Sequence, residues 1–251
     1  MVILFVIIGI ILASFYGVVG YRLSNSESIV NPPSHCEKCN KRLKWYDLIP
    51  VFSYIILRGK CRYCGKKLSI LYLLTEIISG ILFGIGYYIY GLNYELLLYL
   101  IIVSLMIIIF ISDFNYLVIL DSPTIIAIIL TIIIKFIIFG FNTTIHYILT
   151  GIILFVFMYI IKIIGDHAFK RESLGGGDIK LALFIGLILG LKLSLVTVVL
   201  ASFIALPYSL IYVIKKQDKE VPFGPFLIMA TLICFVFSDP INSLLNLLFV
   251  L

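Results

Sequence analysis

Charge is what this sequence has least of. Only 13% of its 251 residues are charged while 62% are hydrophobic, and the mean hydropathy is +1.18. Soluble domains carry about 25% charged residues, so a water-soluble globular domain is excluded. Long polar stretches are equally scarce, and residues 21–71 form the single large one. The first 20 residues are apolar, with no basic residue ahead of them and no small-x-small cleavage site. That absence argues against a cleaved signal peptide and for a retained membrane helix. The net charge of +6 is not organised around any nucleic-acid-binding motif. Inverted repeats and mid-span carboxylates, the marks of a proton-coupled transporter, are missing as well.

What is present is a succession of apolar runs near the ~20 residues needed to cross a bilayer. Breakers and lengths predict about eight membrane helices, at roughly 1–20, 72–91, 95–112, 122–141, 145–165, 178–190, 194–214 and 223–240. The expected fold class is therefore all-α, a polytopic helix bundle, with a first transmembrane helix at 1–20, a polar module at 21–71 and a membrane-embedded domain at 72–251. The stretch from Asp178 to Ile214 is read as two helices broken at Gly190-Leu191-Lys192, because one continuous helix would be about 55 Å long. Ten of the 19 basic residues fall between Arg22 and Lys67, and others lie around Lys170 to Lys180 and Lys215 to Lys219. The positive-inside rule places these segments in the cytoplasm and the N-terminus outside. The lipid bilayer is thus one partner, and no residue pattern sets an oligomeric state.

Cys36-Glu-Lys-Cys39 and Cys61-Arg-Tyr-Cys64 are two CxxC pairs with 21 residues between them. Each knuckle offers two thiolates on a tight turn, and together they supply the four soft donors of a structural Zn²⁺ site. Two disulfides or four free thiols are the competing readings, and a cytoplasmic loop disfavours the first. Four cysteines already complete the shell, so His35 is a spare. A closed tetrathiolate site leaves no open position for catalysis. Cys234, inside the last apolar run, reads as a small buried hydrophobe.

Three aspartates abut apolar segments: Asp113, Asp121 and Asp178. Ionisable groups at membrane helices are costly and tend to be functional. Asp121, followed by Ser122 and Pro123, has an ordinary alternative as a helix cap. Asp178 follows Gly175, Gly176 and Gly177, which allow close backbone approach and turns at positive φ. Asp113 and Asp178, on the same side, can converge on one water and share a proton, one acting as base while the other donates to a carbonyl. Glu76, early in the second span, is read either as a substrate contact or as a polar partner for a neighbouring helix. His146 and His167 lack any ligand pattern.

Several motifs now agree in order: Ala13-Ser-Phe-Tyr-Gly-Val-Val-Gly-Tyr-Arg-Leu23, the two CxxC pairs, Leu43-Lys-Trp-Tyr-Asp-Leu-Ile-Pro50, Tyr72-Leu-Leu-Thr-Glu76, Ser112-Asp113, Gly175-Gly-Gly-Asp178-Ile-Lys180 and Pro222-Phe-Gly-Pro-Phe226. Nearly end to end, the chain resembles the bacterial type IV prepilin peptidase family. The resemblance implies an aspartyl endopeptidase of the bacterial inner membrane in which Asp113 and Asp178 match the catalytic pair. Gly175, Gly176, Gly177, Asp121, Lys180 and Glu76 are expected to support them. Its substrates would be type IV prepilins, pseudopilins or competence pilins, cut after a glycine that ends a basic leader. Many members then methylate the new N-terminal amine with S-adenosylmethionine, a step that here rests on resemblance alone. The chain departs from the family pattern at Ala13 to Gly17, where Gly-Ser-Phe-Leu-Asn is common, and at Ile119-Leu120-Asp121, where a proline often precedes the aspartate. The rival functions are a proton-coupled transporter and a non-catalytic adaptor that uses its zinc loop to hold a partner.

Overall fold

The computed structural model describes residues 1–251 except 37, 171, 215–220 and 250–251. The basic cluster at Lys215 to Lys219 therefore lies outside the described residues. The chain forms two compact units, Met1–Leu96 and Leu97–Leu251. Among the described residues there is no β-strand, only two isolated bridges.

In the first unit, α1 (Val2–Ser24) and α3 (Ile70–Tyr90) form an antiparallel pair joined through the polar module, which contains the short helix α2 (Phe52–Ile56). Lipid gives two apolar helices little hydrophobic reason to associate, so close packing of small residues has to do it. A Cβ at Gly9 would come within 2.8 Å of Phe83, one at Gly80 within 2.6 Å of Ile10, and one at Gly84 within 2.7 Å of Val6. Ser79 donates across the same seam to the Gly9 carbonyl at 3.0 Å. At the end of α1, buried Arg22 closes the chain by donating to the carbonyls of Pro32 at 2.7 Å and Ser28 at 3.0 Å.

The second unit is built around α6 (Gly176–Leu189), whose Leu181, Ala182, Phe184 and Ile185 are wholly buried. On it pack α5 (Asp121–Phe169), α7 (Leu191–Ile214) and α8 (Gly224–Val236), α4 (Tyr94–Tyr116) meets the start of α8 through Asp113, and α9 (Ser238–Phe249) follows α8 at a sharp bend of 83°. Taken as one helix, the 49 residues of α5 would be about 74 Å long. They are not one helix in function, because Gly140 has φ 75° and ψ 179°, a conformation closed to residues with a Cβ. Contacts with α6 show that the chain reverses there. Before Gly140 the pairs run in parallel, Asp121 to Lys180 and Lys135 to Ile188. After it they run backwards, Tyr147 against Gly190 and Gly151 against Leu183 and Gly186. The two spans expected at 122–141 and 145–165 are thus the two arms of a hairpin whose turn falls at Gly140. The break between α6 and α7 falls at Gly190, with φ 76° and ψ 171°, where the sequence placed it.

Among the described residues, five helices are long and apolar enough to cross a membrane, and a sixth if α8 and α9 form one broken span. The count of about eight differs because the two arms of α5 are joined and because α6 has only 14 residues. At about 21 Å, α6 is shorter than the ~30 Å hydrocarbon core. Lys135 sits inside this apolar unit, 3% exposed, with its ammonium 3.1 Å from the Ile188 carbonyl and 3.0 Å from the centre of the Tyr147 ring. It satisfies an orphan carbonyl at the end of α6, where a helix dipole favours a cation.

Candidate active site and metal centre

Asp113 lies in the last turn of α4 and Asp178 in the first turn of α6, and both are buried. The two carboxyl groups are close enough for the charge of Asp113 to act on Asp178. Asp113 is oriented by the backbone: its Oδ2 accepts the Gly224 N–H at 3.2 Å, at the N-terminus of α8. One oxygen of Asp178 turns back toward Gly175, while Oδ1 is buried with no hydrogen-bond partner among the described residues. A buried polar atom left without a partner is costly and calls for an explanation.

Of the two uses the sequence suggests for the glycines before Asp178, close backbone approach and turns at positive φ, the second is not observed. Gly175 has φ −67° and neither Gly176 nor Gly177 is in the left-handed region. Close approach is. A Cβ on Gly177 would lie 2.6 Å from the Cβ of Ile119, and one on Gly175 would lie 3.0 Å from Asp178 Oδ2, whereas Gly176 faces open space. Gly224 is under the same pressure, since a Cβ there would lie 2.6 Å from Ile119 and 2.9 Å from Asp113 Oδ2. Ile119 is therefore a wedge between the loop carrying Asp178 and the start of α8. Both Ile119 and Gly224 fall within the sequence motifs, but sequence reasoning assigned neither a role.

Asp121 stands in the first turn of α5 and not at its cap, which is Leu120. Both of its oxygens accept from Lys180, at 2.7 and 2.8 Å, across a half-exposed gap. Beneath this ion pair runs an apolar groove lined by Thr124, Ile125, Ile128, Phe155 and Leu183. Asp166 accepts from the Ser173 N–H at 2.6 Å and from its hydroxyl at 2.8 Å, closing the loop ahead of the glycines. Glu76 belongs to the first unit, where its Oε2 accepts the Val51 N–H at 2.7 Å.

Also in the first unit, the four cysteines 36, 39, 61 and 64 bring their Sγ atoms within 4.8 Å of one another, and none is in a disulfide. The two knuckles share one geometry. The Cys36 N–H reaches the Lys41 carbonyl and the Cys61 N–H reaches that of Lys66, with Asn40 (φ 53°) and Gly65 (φ 68°) at matching left-handed positions. A tetrahedral ion with Zn–S bonds of about 2.3 Å has S···S edges of about 3.8 Å, and Cys36 and Cys64 stand 3.7 Å apart. The N–H of Cys39 leads in drawing the Cys36 thiol down to about 6, against its burial. Cys64 receives the Lys66 N–H, yet burial and the other thiols push it up to about 11. Four thiols so crowded cannot all ionise unless a cation takes up the charge. The cluster can hold a metal ion.

The apolar helices make this a multi-pass membrane protein, and comparisons with known proteins say of which kind. The family model for the bacterial peptidase A24 N-terminal domain matches residues 7–90, and that for the type IV leader peptidase family matches residues 100–210. The chain is 32% identical to a prepilin leader peptidase/N-methyltransferase of Vibrio cholerae over 93% of its own length and 95% of the relative's. It is 28% identical to one of Bacillus subtilis over 94% of each chain, and 28% identical to one of Neisseria gonorrhoeae over 96% of its own length and 92% of the relative's. No solved structure matches it. The protein belongs to the type IV leader peptidase family and is a membrane peptidase. The transporter and adaptor readings are set aside.

Proposed function

We propose that this protein cleaves the leader from type IV prepilins, pseudopilins or competence pilins at the cytoplasmic face of the bacterial inner membrane, with Asp113 and Asp178 as its catalytic pair. The observation that carries this reading is the unpartnered Oδ1 of Asp178 beside an Asp113 fixed by the Gly224 N–H. In the proposed reaction, Asp113 is the base, because a backbone donor at a helix N-terminus favours its negative charge. It takes a proton from water as the oxygen attacks the scissile carbonyl, while Asp178 gives the shared proton to the carbonyl oxygen. The gem-diol intermediate then collapses: one of its hydroxyls returns a proton to Asp178 as the C–N bond breaks, and the leaving amine takes the proton held by Asp113.

The remaining assignments follow the same reading. Gly175 and Gly177 let the loop that bears Asp178 pack closely against Ile119 and against the Asp178 carboxylate itself, and the Asp121–Lys180 pair guards the groove that would receive an apolar pilin segment. Glu76 supports the chain at a distance, through the turn at Val51. The division is a first membrane helix (1–20), a cytoplasmic zinc module (21–71) and a membrane-embedded peptidase domain (72–251), with the N-terminus outside. The metal is a structural Zn²⁺ held by Cys36, Cys39, Cys61 and Cys64, and its chemistry is to bind thiolates and fix the module's fold. N-methylation with S-adenosylmethionine follows the activity for which the relatives are named.

The test is cleavage of a prepilin by the purified protein in detergent, with product masses recorded for wild type, Asp113→Asn and Asp178→Asn. Leader removal by wild type alone, with both variants folded, is expected. A variant cutting at near the wild-type rate sinks the two-aspartate mechanism. A product heavier by one methyl group when S-adenosylmethionine is added marks the second activity.

A further inference from the structure

The polar module carries apolar side chains that it does not bury. Trp45 is 76% exposed, Phe52 68%, Ile55 61% and Ile56 73%. Three of them, Phe52, Ile55 and Ile56, share one face of α2 by their i, i+3, i+4 spacing. The opposite face is the one that packs inward: Tyr54 donates to the Leu68 carbonyl at 3.4 Å and lies against Gly59. A segment of a polar loop with its aromatic and aliphatic residues turned outward needs a cover.

Three observations say what covers it. The first is position. Val51, just before α2, is hydrogen-bonded to Glu76 at 2.7 Å, and Glu76 is the seventh residue of α3, about 9 Å along the span from its start. The apolar face is thereby held beside the first turns of a membrane helix whose own Ile70 and Leu71 are exposed. The second is rigidity. Val51 has φ 63° and ψ −55°, and the Phe52 N–H reaches the Pro50 carbonyl at 2.6 Å, which together make a γ-turn of the rare, strained kind. A β-branched residue holds such a turn only when its surroundings insist on it. Glu76 supplies that insistence, so the direction of α2 is fixed. The third is charge. Arg42, Lys44, Arg58 and Lys60 are exposed on either side of the apolar segment, and the nearby acid, Asp47, is already paired with Arg62 at 2.7 Å.

We propose that residues 45–56 form an in-plane membrane anchor. Trp45, Phe52, Ile55 and Ile56 enter the boundary between headgroups and acyl chains of the leaflet that receives the end of α1 and the start of α3, and the flanking basic residues meet anionic lipid headgroups. Amphipathic surface segments of this composition sit about 5–10 Å deep, which compares with the ~9 Å along α3 from its start to Glu76, where the turn is held. The anchor fixes the module relative to the bilayer independently of the chemistry at Asp113 and Asp178.

The chain has a single tryptophan, Trp45, which makes the test direct. The full-length, metal-loaded protein is reconstituted into vesicles of phosphatidylcholine and phosphatidylglycerol whose acyl chains carry bromine either near the glycerol or near the chain end. Trp45 emission is expected to fall by at least about twofold with shallow bromine and much less with deep bromine, as its interfacial depth requires. In the double variant Phe52→Ser, Ile56→Ser, bromolipid quenching is expected to be largely lost while the metal content is unchanged. No bromolipid quenching with full access to aqueous acrylamide would place the face in water and overturn the proposal. Protection from both quenchers would mean a protein covers it, which overturns the proposal equally, and so would quenching unchanged in the double variant.

Discussion

Gly176 and Gly177 are neighbours of the same type with opposite tolerances. A methyl group on Gly176 meets nothing within 4 Å, whereas one on Gly177 would sit 2.6 Å from the Cβ of Ile119, an atom fixed to the backbone. Gly176→Ala should therefore leave prepilin cleavage near wild type, and Gly177→Ala should lower it on the order of 10²-fold, because the loop bearing Asp178 must move. Ile119→Ala cannot restore Gly177→Ala, since its Cβ remains. Gly224→Ala should also lose activity but recover part of it with Ile119→Ala, because there the nearest obstacle is the flexible Cδ1. Initial rates on one prepilin in detergent check the whole set, and equal losses at 176 and 177 would refute the packing argument. The sequence announced Asp113 and Asp178 through the cost of a carboxylate at a membrane helix. It left the glycines' purpose open, because a missing Cβ does not say which distant side chain takes its place. Lys135 went unremarked for a similar reason: its partner, the Ile188 carbonyl, is fixed by how α5 folds back on α6.

At the scale of elements, the cysteine knuckles were the most legible part of the chain. Spacing alone specified two equivalent turns, and Asn40 and Gly65, the residues suited to positive φ, occupy equivalent positions in them. What spacing could not reveal was the γ-turn at Val51, which depends on a carboxylate from another element. The metal prediction belongs here. Because buried Cys36 and Cys61 each supply one donor per knuckle, Cys36→Ser or Cys61→Ser should reduce bound zinc from about one per chain to a small fraction of that. Trypsin should then cut the module rapidly at Lys44, Arg58 and Lys60, while the α1–α3 pair, held by Gly9, Gly80 and Gly84 without metal, stays intact. Metal analysis together with limited proteolysis reads both effects. Retention of full zinc by either variant would show that the four thiols are not the site.

For the whole molecule, orientation turns on Gly140. If α5 were a single rod, Asn142 and Lys170 would lie on one course through the membrane. The parallel contacts before Gly140 and the antiparallel ones after it require a reversal of the chain, with the turn near Asn142 at one end of α6 and the ends near Asp121 and Lys170 at the other. On the topology proposed above, residues 91–93 and 141–143, which carry no basic residue, face outward, and the ends that bear Lys170 and Lys180 face the cytoplasm. Asn93 and Asn142 are both exposed, so single cysteines placed there should react in intact cells with a maleimide that cannot cross the inner membrane. A cysteine at Lys170 should react only after the membrane is opened. The native thiols leave a low background on this reading, with Cys234 buried and the other four in the cytoplasmic module. Labelling of position 170 from outside together with protection of 142 would invert the topology, and the aspartates, which share a face with Asp121, would then lie away from the cytoplasm. Labelling of 142 and 170 from the same side would remove the hairpin itself, and with it the packing of both arms of α5 along the helix that carries Asp178.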